Sequence, residues 1–183
     1  MNVTVVNGNP DPGHGAFDGH LDALARHLGS HGHRCTLLPL RDLDIRQCTG
    51  CFSCWLRTPG RCVLPDRYED VLRAYLASDL LVFASPLVMG FTSALLKRAT
   101  DRIVPVVLPY IDGSSGECRH FPRYDHTPAL AVLYEPEPDT DAEDLEILDL
   151  LWRRLARNAA TRLAFVKPVS VDPEEVTHAI DRL

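Results

Sequence analysis

Short apolar runs alternate with amphipathic stretches through the first half of the chain. The runs Val3–Val6 and Leu80–Ala84 predict fully buried strands, and His33–Leu40 predicts a strand between them. Apolar residues at helical spacing predict one helix after the first strand and another before the third. Their inward positions are Phe17, Leu21, Leu24, Ala25 and Leu28 in the first helix and Val71, Leu72, Tyr75 and Leu76 in the second. We expect Asp66 to open the second helix, and Thr92 or Ser93 to cap a third.

The second half continues this alternation after an interruption at residues 103–127. The prolines there and the tip Gly113–Gly116 predict a hairpin excursion that covers a ligand crevice or pairs with another subunit. Ala129–Tyr134 and Leu163–Val166 predict a fourth and a fifth strand. Thr140–Glu143 has the pattern of a capping box, within an acidic run that we interpret as a loop and a helix start. The inward residues predicted for that helix are Leu145, Leu148, Leu151, Trp152 and Leu155. Such alternation predicts a parallel sheet with helices on both faces.

Ligands bind such sheets at the carboxyl ends of the strands, where two loops have suitable sequences. Loop 1, Gly8–Gly15, is rich in glycine and precedes a helix N-terminus, which favours a phosphate. Asp11 and Asp18 would repel a phosphate, so a plain strand-to-helix turn is the alternative. Loop 2, Pro86–Gly90, is apolar and suits a flat ring whose polar edge meets the backbone. The alternative is that its apolar side chains pack against the excursion or a partner.

Four of the six cysteines, Cys48, Cys51, Cys54 and Cys62, are gathered in one loop after the second strand. Two short Cys-x2-Cys steps suit an iron–sulfur cluster, for which Cys62 would be the fourth ligand. Zinc accepts the same four thiolates. The remaining alternative is that the thiols pack the loop without a metal.

Length and composition limit the functions to be considered. A chain of 183 residues predicts one domain spanning 1–183. The net charge of −6 and the lack of a basic stripe argue against nucleic-acid binding. The longest apolar run, Leu80–Phe91, contains Ser85 and Pro86, so we expect no membrane span. The N-terminal residues do not have the pattern of a signal peptide, which predicts a cytoplasmic protein in which structural disulfides are rare.

Several motifs together resemble the NADPH-dependent FMN reductase group of the flavodoxin-like proteins. They are Val6-Asn-Gly-Asn-Pro10, Ser85-Pro-Leu-Val-Met-Gly90, Ser93-Ala-Leu-Leu-Lys97 and Asp101-Arg102, with Asp66 and the cysteine loop. The spacing Cys-x2-Cys-x2-Cys-x7-Cys is similar to the compact cysteine motif of the iron–sulfur flavoproteins within that group.

The resemblance implies a fold, cofactors and partners. The fold is a flavodoxin-like three-layer α/β/α sandwich whose five-stranded parallel sheet has the order 2-1-3-4-5, with the excursion before strand 4. FMN would bind at the ends of strands one and three and receive a hydride from NAD(P)H, and a homodimer or homotetramer would act on a small-molecule redox substrate. Cys48, Cys51, Cys54 and Cys62 would hold a [4Fe-4S] cluster.

The resemblance also assigns cofactor-binding residues. Those at the phosphate are Asn9, Pro10, Ala16 and Phe17, and those at the flavin ring are Ser85, Pro86, Leu87, Val88, Met89 and Gly90. Three positions depart from the family's pattern: Asn9 replaces a serine, Ala16 or Phe17 a threonine, and Val88 an aromatic residue. Fewer hydroxyls weaken a phosphate site.

Two functional hypotheses follow. The first is an FMN-dependent NAD(P)H oxidoreductase of the flavin or quinone reductase type, with an iron–sulfur cluster beside the flavin. Hydride transfer needs no protein acid or base, so no catalytic side chain is assigned. The alternative is a non-catalytic flavodoxin-like module that binds a ligand or carries a metal and has lost FMN.

Overall fold

The computed structural model describes residues 1–114 and 116–183. The strands are β1 (Asn2–Asn7), β2 (Arg34–Pro39), β3 (Leu80–Val88), β4 (Phe91–Thr92), β5 (Val107–Asp112), β6 (Arg119–Pro122), β7 (Ala129–Glu135) and β8 (Leu163–Pro168). The α-helices are α1 (Gly15–Ser30), α2 (Ser53–Leu56), α3 (Tyr68–Ala77), α4 (Ala94–Thr100), α5 (Ala142–Asn158) and α6 (Pro173–Ile180). Two short 3₁₀ helices span Leu40–Asp42 and Val104–Val106.

Five strands form the parallel sheet, in the order β2-β1-β3-β7-β8. The register is continuous across its centre, where Val5 pairs with Leu37 on one side and with Val82 on the other. This order confirms the predicted 2-1-3-4-5 arrangement, with β7 and β8 as strands four and five. The short strand β4 adds a sixth member, antiparallel to the end of β3.

Apolar side chains cover both faces of the sheet, which explains why its central strands are apolar throughout. In β3, Leu80 and Val82 pack with α1 and α6, whereas Leu81 and Phe83 pack with α3, α4 and α5. Trp152 of α5 contacts the Phe83 ring, with 5.0 Å between the ring centroids. The predicted three layers are therefore present.

Some predicted boundaries were wrong. Residues 86–88 belong to β3 instead of a loop, because Pro86 pairs with Glu135 of β7. Helix α3 begins at Tyr68, two residues after Asp66. The cap of α5 is formed by Asp141 with Asp144, one residue later than predicted, because their side chains and N–H groups bond each other reciprocally.

Two side chains predicted to face inward do not. Leu151 is 43% exposed and Leu76 is 36% exposed. Leu148, Trp152 and Ala156 form the buried face of α5 instead.

The excursion is a hairpin of antiparallel strands β5 and β6, as the sequence predicts. It packs against the cysteine loop, where Trp55 donates from Nε1 to the carbonyl oxygens of Val104 at 3.1 Å and Val107 at 3.0 Å. The His120 ring of β6 contacts the same indole, with 5.3 Å between centroids. Among the helices described, none has the length and apolar character needed to cross a membrane.

Candidate functional site

Loop 1 is shaped by three successive side-chain turns. The side-chain oxygens of Asn7, Asn9 and Asp11 accept from the N–H groups two residues ahead, at 2.8, 3.0 and 2.8 Å respectively. Asn and Asp favour such turns because their short side chains reach the backbone two residues on. Pro10 and Pro12 directly follow Asn9 and Asp11 and have no N–H. The loop therefore satisfies its own donors from Asn9 to Gly15, whose N–H bonds the Gly13 carbonyl.

Asp18 joins loop 1 to the end of β2. Its carboxylate accepts from both terminal nitrogens of Arg41, at 3.2 and 2.7 Å, and from the amides of Asn7 and Asn9. Burial works against ionisation, but the bonds from Arg41, Asn7 and Asn9 outweigh it and leave the pKa of Asp18 below its ordinary value. The negative charge expected to repel a phosphate is thus paired inside the protein.

The N–H groups of Ala16 and Phe17 are the donors left at the start of α1. Neither meets an acceptor among the described residues. They lie in the first helical turn, where the helix dipole favours an anion. His14 stands before them with its Nε2 3.2 Å from a Glu135 carboxylate oxygen at the end of β7. The predicted residue Asn9 is fully buried and uses its side chain within the loop, whereas Pro10 is exposed.

Buried hydrogen bonds fix loop 1 against the end of β3. The N–H of Gly8 donates to the Ala84 carbonyl at 2.7 Å, and the Ser93 hydroxyl donates to the Gly8 carbonyl at 2.6 Å. The Ser93 N–H in turn donates to the Ser85 hydroxyl at 2.9 Å. A β-carbon on Gly8 would lie 2.6 Å from Cβ of Leu96, so this approach requires glycine. Ser85 therefore has a structural role beneath the crevice.

Only Met89 and Gly90 of loop 2 lie outside the strands, and they form a tight turn between β3 and β4. Met89 and Gly90 both have left-handed backbone conformations, with φ of 54° and 73°, as a two-residue hairpin turn requires. Their N–H groups donate to the two carboxylate oxygens of Glu137, at 3.0 and 2.9 Å. The bonds from Gly90 and Met89 lower the pKa of Glu137.

The predicted ring-binding residues divide into buried and accessible groups. Ser85 and Leu87 are buried, and Pro86 is half-buried. Val88 is 52% exposed and Met89 is 93% exposed. The turn therefore exposes two apolar side chains, while its two N–H groups are bonded to Glu137.

The cysteine loop carries its four thiols at different depths. Cys48 and Cys51 are exposed, while Cys54 and Cys62 are half-buried. Burial, and then the proximity of Cys62, raises the pKa of Cys54. Hydrogen bonds with Ser53, and to a lesser extent Thr49, lower the pKa of Cys51 to about 7. Within residues 1–114 and 116–183, no three His, Cys, Asp or Glu side chains are arranged to hold a metal ion.

Cys62 is also anchored to a buried ion pair. The guanidinium of Arg102 forms a two-pronged pair with Asp66 and donates to Sγ of Cys62 at 3.1 Å. The Tyr68 ring lies beneath it, 4.2 Å from the guanidinium carbon. Asp66 also accepts from the Arg46 N–H at 2.8 Å, which fixes the chain just before the cysteines.

Residues 1–137 match the family model described as NADPH-dependent FMN reductase. The chain belongs to that family. The matched residues include both crevice loops, the cysteine loop and Glu137. The resemblance stated from the sequence motifs is thus confirmed.

Two curated relatives share part of the chain. An iron-sulfur flavoprotein of Archaeoglobus fulgidus is 28% identical over 102 residues, which cover 56% of this chain and 48% of that protein. An iron-sulfur flavoprotein of Methanocaldococcus jannaschii is 27% identical over 110 residues, which cover 58% of this chain and 53% of that protein. The chain spans about half the length of the curated relatives it matches.

Solved structures share the fold along the whole chain. The NAD(P)H:quinone oxidoreductase from Methanothermobacter marburgensis superposes with a TM-score of 0.66 at 17% identity, covering 100% of this chain and 94% of that one. A putative quinone reductase from Klebsiella pneumoniae gives a TM-score of 0.64 at 13% identity, covering 100% of this chain and 83% of that one. At these identities the likeness establishes the flavodoxin-like fold.

Proposed function

We propose that this protein is an FMN-dependent oxidoreductase that takes reducing equivalents from NAD(P)H and passes them to a small-molecule acceptor of the flavin or quinone type. The family match over residues 1–137 carries the proposal, because that stretch contains both loops of the crevice. FMN, when bound, supplies the hydride and electron transfer chemistry. The protein supplies the binding site and its orientation.

The groups at the crevice fit such a cofactor. The N–H groups of Ala16 and Phe17, at the positive end of the α1 dipole, would receive the phosphate. Val88 and Met89 would contact the ring, and the N–H groups of Met89 and Gly90 would meet its polar edge. The phosphate end has few donors because loop 1 uses most of its own, and the two N–H groups at the ring end are bonded to Glu137 until a ring displaces it.

Absorption spectroscopy of anaerobically purified protein tests the proposal. We expect a two-banded flavin spectrum, either as purified or after addition of FMN, and oxidation of NADH or NADPH with a quinone as acceptor. A protein that stays colourless with excess FMN, and that oxidises neither nicotinamide, would refute the proposal. That result would favour the non-catalytic module.

We also propose that Cys48, Cys51, Cys54 and Cys62 hold a [4Fe-4S] cluster. Two observations support this assignment: the matched relatives are iron-sulfur flavoproteins, and all four cysteines are free thiols in one loop. Since no three of the described side chains are arranged for a metal, the loop would have to draw its thiols together to bind the cluster. Iron and sulfide analysis of anaerobically reconstituted protein tests it. We expect about four irons per chain, lost in Cys51→Ser and retained in Cys118→Ser. Zinc in place of iron, or no metal, would refute the cluster.

A homo-oligomer and a cytoplasmic location complete the proposal. Exposed apolar side chains on the hairpin and on α5 support self-association. They are Tyr110, Ile111, Phe121, Ile147, Leu150 and Leu151. Light scattering coupled to size-exclusion chromatography should give a dimer or tetramer mass. A monomer at micromolar concentration would contradict this part of the proposal.

A further inference from the structure

The carboxylate of Glu137 crosses from the segment after β7 to the turn between β3 and β4. Its two oxygens accept separately from Met89 N–H at 3.0 Å and Gly90 N–H at 2.9 Å. Both donors of the turn are therefore satisfied by one side chain of the same molecule. A carboxylate is a stronger acceptor than a neutral carbonyl oxygen, so these are charge-assisted bonds.

These N–H groups are the ones that the proposed function offers to the polar edge of the flavin ring. That edge carries neutral carbonyl oxygens and ring nitrogens, which need the same donors. A ring that uses the two N–H groups must first displace Glu137. A displaced carboxylate that stayed beside the electron-rich ring edge would be unfavourable, so the side chain must also turn away from the ring.

The side chain of Glu137 is placed so that it can leave without a change in the fold. Prolines 136 and 138 flank it and restrict the backbone, and its own N–H donates to the Thr140 hydroxyl at 2.8 Å. Glu137 is only partly covered, and no cation is paired with its carboxylate in the described part of the chain. A rotation of the side chain into solvent therefore frees both donors.

We propose that Glu137 is an internal ligand that competes with the flavin ring for the N–H groups of Met89 and Gly90 and thereby sets the affinity for flavin. The inference rests on the proposed function, since it assigns this turn to the flavin ring. Glu137, a residue of the protein itself, thus determines how tightly the cofactor binds.

The test is a flavin titration of Glu137→Gln beside the unaltered protein, with FMN and with riboflavin as probes. Quenching of flavin fluorescence gives the dissociation constants. We expect both flavins to bind about tenfold more tightly to the variant, because a neutral amide is a weaker competitor than a carboxylate. Riboflavin has no phosphate, so an equal gain for both probes places the effect at the ring end.

Glu135→Gln is the matched control. Glu135 is a neighbouring acid, but its carboxylate contacts His14 of loop 1 and not the turn. We expect this variant to leave riboflavin binding unchanged. A gain for FMN alone in Glu137→Gln would show general charge repulsion of the phosphate and would overturn the competition.

Two other results separate the inference from the proposed function. If the unaltered protein binds flavin and Glu137→Gln binds it equally or more weakly, Glu137 supports the turn and the inference fails alone. If neither protein binds either flavin, the proposed function and the inference fail together. Amide hydrogen exchange of the flavin-free proteins provides a second readout, because the N–H groups of Met89 and Gly90 should exchange faster in Glu137→Ala. Unchanged exchange would contradict the bonds on which the inference depends.

Discussion

Replacing Asp66 by asparagine tests the buried ion pair that anchors the cysteine loop. The side chains of Asp66 and Arg102 are each 1% exposed. In the variant, Arg102 keeps its charge but loses its counter-ion, while it remains bonded to the Arg46 carbonyl at 2.8 Å. An uncompensated buried charge is among the few changes that destabilise a protein strongly.

The structure sets the size of the expected effect. Removal of one partner from a buried pair costs about 3–5 kcal/mol. Asparagine keeps an oxygen that can accept from the N–H of Tyr68, which now bonds Asp66 at 3.1 Å, so we expect the lower end, about 3 kcal/mol. In a domain of this size that loss lowers the melting temperature by roughly 6–12 °C.

Urea denaturation followed by far-ultraviolet circular dichroism measures this loss. The control is Asp70→Asn, because Asp70 forms an exposed pair with Arg67 and should contribute less than about 1 kcal/mol. A loss below about 1 kcal/mol for Asp66→Asn would refute the reasoning, since it would mean that the charge of Arg102 needs no counter-ion.

The same pair predicts a pH dependence. Burial alone would raise the pKa of Asp66, but the hydrogen bonds from Arg102, Arg46 and Tyr68 outweigh it and leave that pKa below its ordinary value. A carboxyl whose pKa is lower in the folded state stabilises the protein above its unfolded pKa. We therefore expect this contribution to be lost as the pH falls below about 4, and Asp66→Asn to lack it.

Three further predictions concern the crevice and the cysteine loop. Gly8→Ala should destabilise the protein by about 1–3 kcal/mol in urea denaturation, because the added β-carbon would overlap Leu96. Gly19→Ala in α1 is the control and should stabilise the protein by about 0.5–1 kcal/mol. Equal effects of the two substitutions would contradict the close packing at Gly8. Ser93→Ala should cost about 1–2 kcal/mol by thermal unfolding, since it removes the α4 cap and the bond to Gly8, and a cost near zero would contradict both roles. In reduced, metal-free protein, the rate of Cys51 alkylation by iodoacetamide should reach half its limiting value at about pH 7. Cys35 should stay unreacted, because burial raises its pKa to about 11. A midpoint for Cys51 above about pH 8.5, the ordinary pKa of cysteine, would contradict the bonds to Ser53.

Local pattern was enough to predict the sheet but not the contacts between its loops. Runs such as Leu80–Ala84 are apolar because both faces of the sheet are covered, so the burial of these residues can be predicted from the sequence alone. The extension of β3 through Pro86 was missed because proline disfavours a strand, and only pairing with Glu135 of β7 overrides that preference. Pairing between distant segments leaves no periodic signal.

In the candidate site, too, the features set by neighbouring residues could be predicted, whereas contacts between distant segments could not. Asp18 looked unfavourable to a phosphate because its neutralising partner, Arg41, lies on another element. The acidic run after β7 was interpreted as a loop and a helix start, which is correct for Asp141 and Asp144. Nothing in that run indicates that Glu137 reaches the turn at Met89 and Gly90, since the contact depends on the ends of β3 and β7 lying side by side.

The double hydrogen bond of Trp55 gives the protein a built-in optical probe. The chain has two tryptophans: Trp55 is fixed in the cysteine loop against the hairpin, and Trp152 is buried beneath the sheet. Their emission therefore reports on two separate regions, and Trp55→Phe and Trp152→Phe would resolve one from the other. Occupancy of the cysteine loop and melting of the core can then be followed in one sample, without an attached dye.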